Sequence, residues 1–432
     1  MFSLSSVSAA SYDFNNGNTT EQFQNVISTD TDDLVISFDD GDYTGWSQLN
    51  ISRNATIVGK NRGGAKFTTS SGGNLFNVTA INVTIVNLTI SGYATAIMSN
   101  CSDLTISNNN INTSGVSINL SSSGSANPIT GVVIKDNIIK SSLSTNYGAV
   151  SLFGKSADKN IFDVLFSDNN ITGSYYGVYL DGSSSNGVVS SANLVFENNN
   201  ITGTPYGVHL YASSSNNTNI TCTGNNITGT SRGVSLYASS NNSQFTFTDN
   251  NVTGTSGFGV YLSASSSNNS YFTFTGNNIT GTSGVSLPVS SSNNSYFTFT
   301  GNNIIALTAI FGVTLTASSS NNSYFTFTGN NITGTLNYSV SLNVDSSNNI
   351  NITFDHNNIT GGTHGVSLSY LFASTSNNTN ITSTTTISQE EPMVFIWRHT
   401  TAKTHNLSST TTTSQEHQAM VFICVHPATT PI

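Results

Sequence analysis

From about residue 83 to residue 368, apolar and polar residues alternate in short runs separated by turns rich in Asn, Gly and Ser. The alternation recurs in near-copies of one unit, clearest in Tyr271 to Leu287, YFTFTGNNITGTSGVSL. In each copy an Ile, once a Val, follows an Asn pair and serves as an anchor: Ile111, Ile139, Ile171, Ile201, Ile227, Val252, Ile279, Ile304, Ile332 and Ile359. The interval drifts between 25 and 32 residues. Seven and five residues before the anchor the chain is apolar, as in Leu104/Ile106, Val132/Ile134, Val164/Phe166, Phe272/Phe274 and Ile352/Phe354. A spacing of two predicts a strand with one face inside. Five to eight residues past the anchor comes Gly-Val-x-Leu, as in Gly177 to Leu180, Gly233 to Leu236 and Gly365 to Leu368. The pattern predicts three short strands per unit and no helical period.

A unit of this size cannot enclose its apolar side and must stack on copies of itself. Three short strands per turn predict an all-β, single-stranded parallel β-helix with coils about 4.8 Å apart. Phe247, Phe274, Phe299, Phe327 and Phe354 would then form an internal stack, each stabilising by about 1.5–3 kcal/mol through burial. The Asn two residues before each anchor (Asn137, Asn169, Asn199, Asn225, Asn250, Asn277, Asn302, Asn330 and Asn357) would form a ladder of side-chain amides and supply the left-handed backbone of a tight corner. Cys222, in the core slot where neighbouring coils place Phe, reads as a small buried hydrophobe.

Before the repeats, Met1 to Ser11 ends in small residues of the kind that precede signal-peptidase cleavage, and residues 1–12 read as the remnant of a secretion signal. The competing reading is an ordinary terminus. Residues 13–60 read as a cap and first strands. Within them Asn18 to Ser28 has an Asn-x-x-Glu start, with Phe23, Val26 and Ile27 on one side of a helix that would plug the first coil. Residues 61–382 carry the β-helix repeats. From about Thr384 the Asn repeats stop and TISQEEPMVFI and TSQEHQAMVFI appear. Codons for Asn-Asn-Ile-Thr-Gly read one base late give Thr-Ile-Ser-Gln-Glu. Ser388 falls 29 residues after Ile359 and Ser414 another 26. Residues 383–432 are therefore expected to be two further coils in a shifted frame, with no native chemistry.

Composition narrows the function classes. Only 7% of the 432 residues are charged and the net charge is −10, which excludes the basic stripe that nucleic-acid binding requires. Strict placement of apolar residues argues against disorder despite the abundance of Ser, Asn, Thr and Gly. The three cysteines offer no disulfide framework. No run of eighteen apolar residues is long enough to cross a membrane.

The cap helix, the Asp-Gly-x-Tyr turn around Gly41 to Tyr43, the Ile-x-Gly strand and the later FTxNNITG repeats resemble the adhesin-like surface proteins of methanogenic archaea over residues 13 to about 382. The resemblance implies the right-handed parallel β-helix of the pectin-lyase-like group, with an N-terminal cap helix, and export to the cell surface. It does not decide activity, because that group contains lyases, hydrolases and non-catalytic binders.

Three sets of residues are candidates for chemistry. Asp136 and Asp168 stand three residues before their anchors on successive coils, with Glu197 four before the next; stacking brings the aspartates within one strand spacing, where carboxylates can share a cation or a proton. Gly224, Gly276, Gly301 and Gly329 fill the same slot elsewhere, so Asp also reads as a turn former there, as do Asp355 and His356. Thr363 to Gly365 resembles the Gly-His-Gly of polygalacturonases but lacks the Arg-Ile-Lys and Asn-Thr-Asp partners. The second set is aromatic. Tyr176 and Tyr206 share the slot five past the anchor, followed by Arg232; Tyr179 and His209 share the slot at eight, and Tyr211 and Tyr237 that at ten. These are expected to point outward and to suit sugar faces or a protein partner, against the simpler reading that tyrosines favour β-walls. A shorter outward row is Tyr271, Tyr296 and Tyr324. The third set is more than twenty Asn-x-Ser/Thr sequons, including Asn77, Asn82, Asn170, Asn226, Asn278 and Asn331. Ladder asparagines are expected to be too enclosed for glycosylation, leaving exposed turns such as Asn268, Asn293 and Asn321. No cofactor and no metal site is expected.

These features favour a non-catalytic, extracellular, secreted or surface-displayed adhesin-like protein whose sides bind glycans or cell-surface partners. A carbohydrate-active lyase or hydrolase is the second reading, and a structural spacer without a ligand the third.

Overall fold

The computed structural model describes residues 9–29, 33–124, 127–155, 160–182, 189–266, 268–308, 311–335, 338–345, 347–360, 364–370, 379–386, 394–398, 405–409 and 421–425. The chain divides into two units, residues 1–210 and 211–432. The expected right-handed parallel β-helix, all-β apart from one short helix, is the fold observed. Each coil contributes strands to three walls, and each strand pairs in parallel with its equivalent in the neighbouring coils.

In the first unit, wall A includes Val83–Val86, Leu104–Ser107, Ile129–Lys135 and Asn160–Ser167, with Leu104 beside Val83 and Ile134 beside Phe166. Wall B carries the anchors, with Ile111 beside Ile139 and Ile171 beside Ile201. Wall C includes Thr95–Ser99, Ile118–Ser122, Gly148–Gly154 and Tyr176–Gly182. The second unit repeats the arrangement, although Asn251–Ser265 and Asn278–Ser290 run through walls B and C without a break. All ten anchors are buried, as are the apolar residues five and seven positions before them. The helix α1 (Thr20–Thr29) covers the first coil by packing Phe23 against Phe14, Phe38 and Trp46. Its cap is Thr19 rather than Asn18: the Gln22 amide donates to Thr19 Oγ1 and the Thr19 amide donates to Gln22 Oε1, a reciprocal box. Val26 is only half-buried, so the covering face is Phe23 and Ile27.

The phenylalanine stack is present. Phe247, Phe274, Phe299, Phe327 and Phe354 lie face to face with centroids 4.7–5.1 Å apart, and Cys222 occupies the preceding slot, buried beside Phe247. A second stack joins Phe245, Phe272, Phe297 and Phe325.

The asparagine ladder is present too, and it satisfies nearly every polar atom it buries. Asn302 donates both its backbone N–H and Nδ2 to Asn330 Oδ1 at 2.9 Å, and Nδ2 also to the Phe274 carbonyl; its own Oδ1 accepts from Asn277. Asn137 does the same with Asn169 and the Ile106 carbonyl in the first unit. The left-handed corner, however, is one residue earlier than expected. Positive φ falls on Asn108, Asp136, Asp168, Asn198, Asp249 and His356, and on Gly224, Gly276, Gly301 and Gly329. The reason is steric: the ladder residue needs extended backbone to align its N–H with the next amide, so the reversal is taken by its neighbour, where Gly, Asn and Asp are tolerated.

A second amide column runs outside, one residue before the anchors, with Asn303 Nδ2 donating to Asn278 Oδ1 and Asn331 Nδ2 to Asn303 Oδ1. Its donors point toward earlier coils, opposite to the buried ladder. Two more exposed columns line the corner between walls C and A, through Asn268, Asn293 and Asn321 and through Asn269, Asn294 and Asn322.

Between residues 379 and 425, the strands Val394–Arg398 and Val421–Val425 pair in parallel, and Thr379–Thr386 pairs with His405–Ser409.

Candidate functional site, an aromatic patch on wall C

Wall C of the first unit carries a continuous group of rings. Gly148–Gly154 and Tyr176–Gly182 pair so that Gly148 lies beside Tyr176, Ser151 beside Tyr179 and Phe153 beside Asp181. Tyr176 stacks on Tyr206 at 5.4 Å with 6° between the planes, and Tyr179 on His209 at 5.7 Å and 10°. Tyr147 meets Phe153 and Tyr179 edge-on, and Tyr175 meets Tyr176. Four of the rings expected as a ligand-binding set, Tyr176, Tyr179, Tyr206 and His209, are therefore brought together.

Their accessibility is uneven. Tyr176 is only 8% exposed, because Tyr175, Tyr179, Tyr206 and His209 surround its ring. Tyr147 is 43% exposed and forms the open edge. Tyr147 and Phe153 escaped the sequence reading because the loop before Gly148 is longer than its counterpart; Tyr175 lies beside the Tyr176 slot on the next coil. Gly148, nine residues after Ile139, pairs with Tyr176, five after Ile171. Counting from Gly-Ala-Val-Ser-Leu as the wall C strand, rather than from the anchor, finds them.

Burial pushes the Tyr176 and Tyr179 phenols well above the usual tyrosine range, helped for Tyr176 by its tyrosine neighbours and for Tyr179 by Asp181. Both hold their protons at neutral pH.

The remaining aromatic candidates lie in the second unit. Arg232 donates from one guanidinium nitrogen to Ser235 Oγ at 3.0 Å and Tyr237 Oη at 2.8 Å, and stacks over the Tyr261 ring at 3.9 Å. Tyr211, 37% exposed, leans on Tyr237 at 5.6 Å. Here the positions of Tyr211, Arg232 and Tyr237 follow from the sequence spacing; Phe258 and Tyr261 add to them.

Asp136 and Asp168 occupy the left-handed corner at φ 57° and 56° on successive coils, and Glu197 is exposed beside them. The Asp136 amide donates to the Ser167 carbonyl and the Asp168 amide to the Glu197 carbonyl. Ser167 Oγ donates to the Asp168 carboxylate, and Arg62 donates to the Asp136 backbone carbonyl at 3.0 Å. These contacts fit corner building. Among the described residues, no group of three or more His, Cys, Asp and Glu is placed to hold a metal ion. His356 takes the corner conformation and lies against Asp355; the side chain of His364 lies outside the described residues.

The sequons sort differently from expectation. In Asn-Asn-Ile-Thr the sequon residue is the second Asn, in the outer column, and Asn226, Asn278 and Asn331 are exposed; the enclosed ladder residue is the first Asn. Asn268, Asn293 and Asn321 are exposed, as expected.

Comparison with known proteins gives one family model, NosD, described as periplasmic copper-binding protein, which matches residues 184–338. No curated protein matches the chain. Similar solved structures include the A-module of the Azotobacter vinelandii mannuronan C-5 epimerase AlgE6 (15% identity, 88% of this chain and 100% of that one, TM-score 0.49). Two others are the Streptococcus pneumoniae surface adhesin PfbA (10% identity, 80% and 82%, TM-score 0.40) and tailspike protein 3 of bacteriophage CBA120 (11% identity, 93% and 59%, TM-score 0.39). The matched residues 184–338 do not fit copper. They contain one His, His209, engaged in ring stacking, one Cys and no Met. That Cys, Cys222, is buried in the core, where burial pushes its thiol up and opposes the thiolate a metal requires.

Proposed function

We propose that the chain is a non-catalytic, adhesin-like protein of an extracellular or periplasmic space that binds saccharides through the wall C patch of its first unit. The supporting observation is the patch itself: half-exposed rings from three successive coils, with Tyr147 at the open edge and hydroxyl groups between them. Rings held by their neighbours lose little conformational freedom on binding, and their edges and hydroxyls match the mixed apolar and polar surface of a sugar. The high phenol pKa values favour binding over proton abstraction. Purified protein on a glycan array should give saccharide-dependent signal that falls at least tenfold in Tyr147→Ala and Tyr206→Ala. An unchanged signal in both variants would remove the proposal, and release of unsaturated or reducing ends from a polysaccharide would replace it with the enzymatic reading.

A further inference from the structure

A second surface lies on the outer face of wall A in the second unit. There the strands repeat Tyr-Phe-Thr-Phe-Thr: Asn268–Thr275, Asn293–Thr300 and Tyr324–Thr328 pair in strict register. The phenylalanines point inward, so three straight columns face out. Tyr271, Tyr296 and Tyr324 form one, with rings 4.8–4.9 Å apart and within 4° of parallel. Thr273, Thr298 and Thr326 form the second, and Thr275, Thr300 and Thr328 the third. The threonines are half-buried, and their hydroxyls make no hydrogen bond among the described residues. Tyr271 and Tyr324 are 47% and 37% exposed.

Two physical points define what such a surface accepts. The tyrosine faces are covered by one another, so the column offers ring edges and phenol hydroxyls as a low side wall rather than stacking platforms. Beside it the threonines make a floor of hydroxyls and methyls, repeated about every 4.8 Å from coil to coil and about every 6.7 Å along the strand. No carboxylate or cation stands in these nine positions. The equivalent wall of the first unit is mixed, with Val133, Lys135, Leu165, Ser167, Val195 and Glu197 in the outward slots.

We infer that this trough binds a neutral, extended, β-linked polysaccharide lying along the coil axis. An extended β-linked polymer advances by nearly one coil spacing per ring and turns alternate rings over, so every sugar lies beside one Tyr, Thr, Thr set, alternate sugars present the same edge, and weak contacts add along the chain. Its hydroxyls replace water on the threonines, and its C–H edges rest against the tyrosine wall. An anionic polymer gains nothing from an uncharged floor on a protein of net charge −10.

The test is native affinity electrophoresis of the full chain in gels containing glucomannan or hydroxyethylcellulose, with polygalacturonate as the anionic comparison. Retardation is expected in the neutral polymers alone. It should weaken at least tenfold in the triple variant Thr273→Val, Thr298→Val, Thr326→Val, which keeps strand propensity and removes three hydroxyls, and also in Tyr296→Ala. Circular dichroism of each variant verifies the fold. Lys140→Ala, an exposed residue that belongs to neither surface, should leave the retardation unchanged. No retardation of the native chain, or retardation that survives both wall A variants, would overturn the inference. Loss in Tyr147→Ala alone would assign the binding to wall C.

Discussion

At the scale of single residues, the asparagines next to each anchor show how position, not identity, sets energetic weight. Asn302→Ala leaves the Asn277 N–H and one Asn277 Nδ2–H without partners in a dry interior and removes a donor from the Phe274 carbonyl, at a cost on the order of 3 kcal/mol. Asn303→Ala removes an amide that water replaces, and should cost under about 1 kcal/mol. Urea unfolding of the two variants checks the contrast. Buried tyrosines set a limit at high pH. Burial raises the phenols of Tyr43 and Tyr93 from 10.0 to about 12, with Asp39 adding to the effect at Tyr43. The unfolded phenol ionises first, so their contribution to stability is complete below pH 10 and is lost as pH rises through about 12. Melting temperature in the first unit should therefore fall steeply above pH 10, and less so in a Tyr43→Phe, Tyr93→Phe variant. Much at this scale was legible in the sequence: the core slots, the ladder and the Cys222 position all follow from periodicity. The left-handed residue was misplaced by one because composition alone does not distinguish which of two adjacent polar residues turns the chain.

At the scale of elements, strand boundaries follow the alternation, and the cap helix follows its apolar pair. Phe23 contributes one fully buried ring to a cluster with Phe14, Phe38 and Trp46. Phe23→Ala should cost about 3–5 kcal/mol and should redden Trp46 fluorescence as the first coil meets water. What the sequence hid at this scale was cross-coil alignment wherever a loop changes length. Tyr147 and Phe153 belong to the patch through the pairing of Gly148 with Tyr176, and the anchor count skips over it. Conversely, Tyr271, Tyr296 and Tyr324 were legible as a row because the coils that carry them have the same wall A phase.

At the scale of the whole molecule, the repeat specifies the fold without specifying a ligand, since a β-helix hosts binding and catalysis alike. The donor set of residues 184–338 predicts that calorimetric titration with copper gives no tight, stoichiometric uptake, despite the family match. The proposal that residues 383–432 are read in a shifted frame predicts that resequencing finds a one-base offset restoring Asn-Asn-Ile-Thr-Gly. The two amide columns beside each anchor carry a last consequence. The buried one points its donors toward later coils and the outer one toward earlier coils, so the dipoles of these two columns oppose rather than add. Gaining or losing a coil by gene duplication or loss adds or removes one bond in each column and leaves that opposition intact.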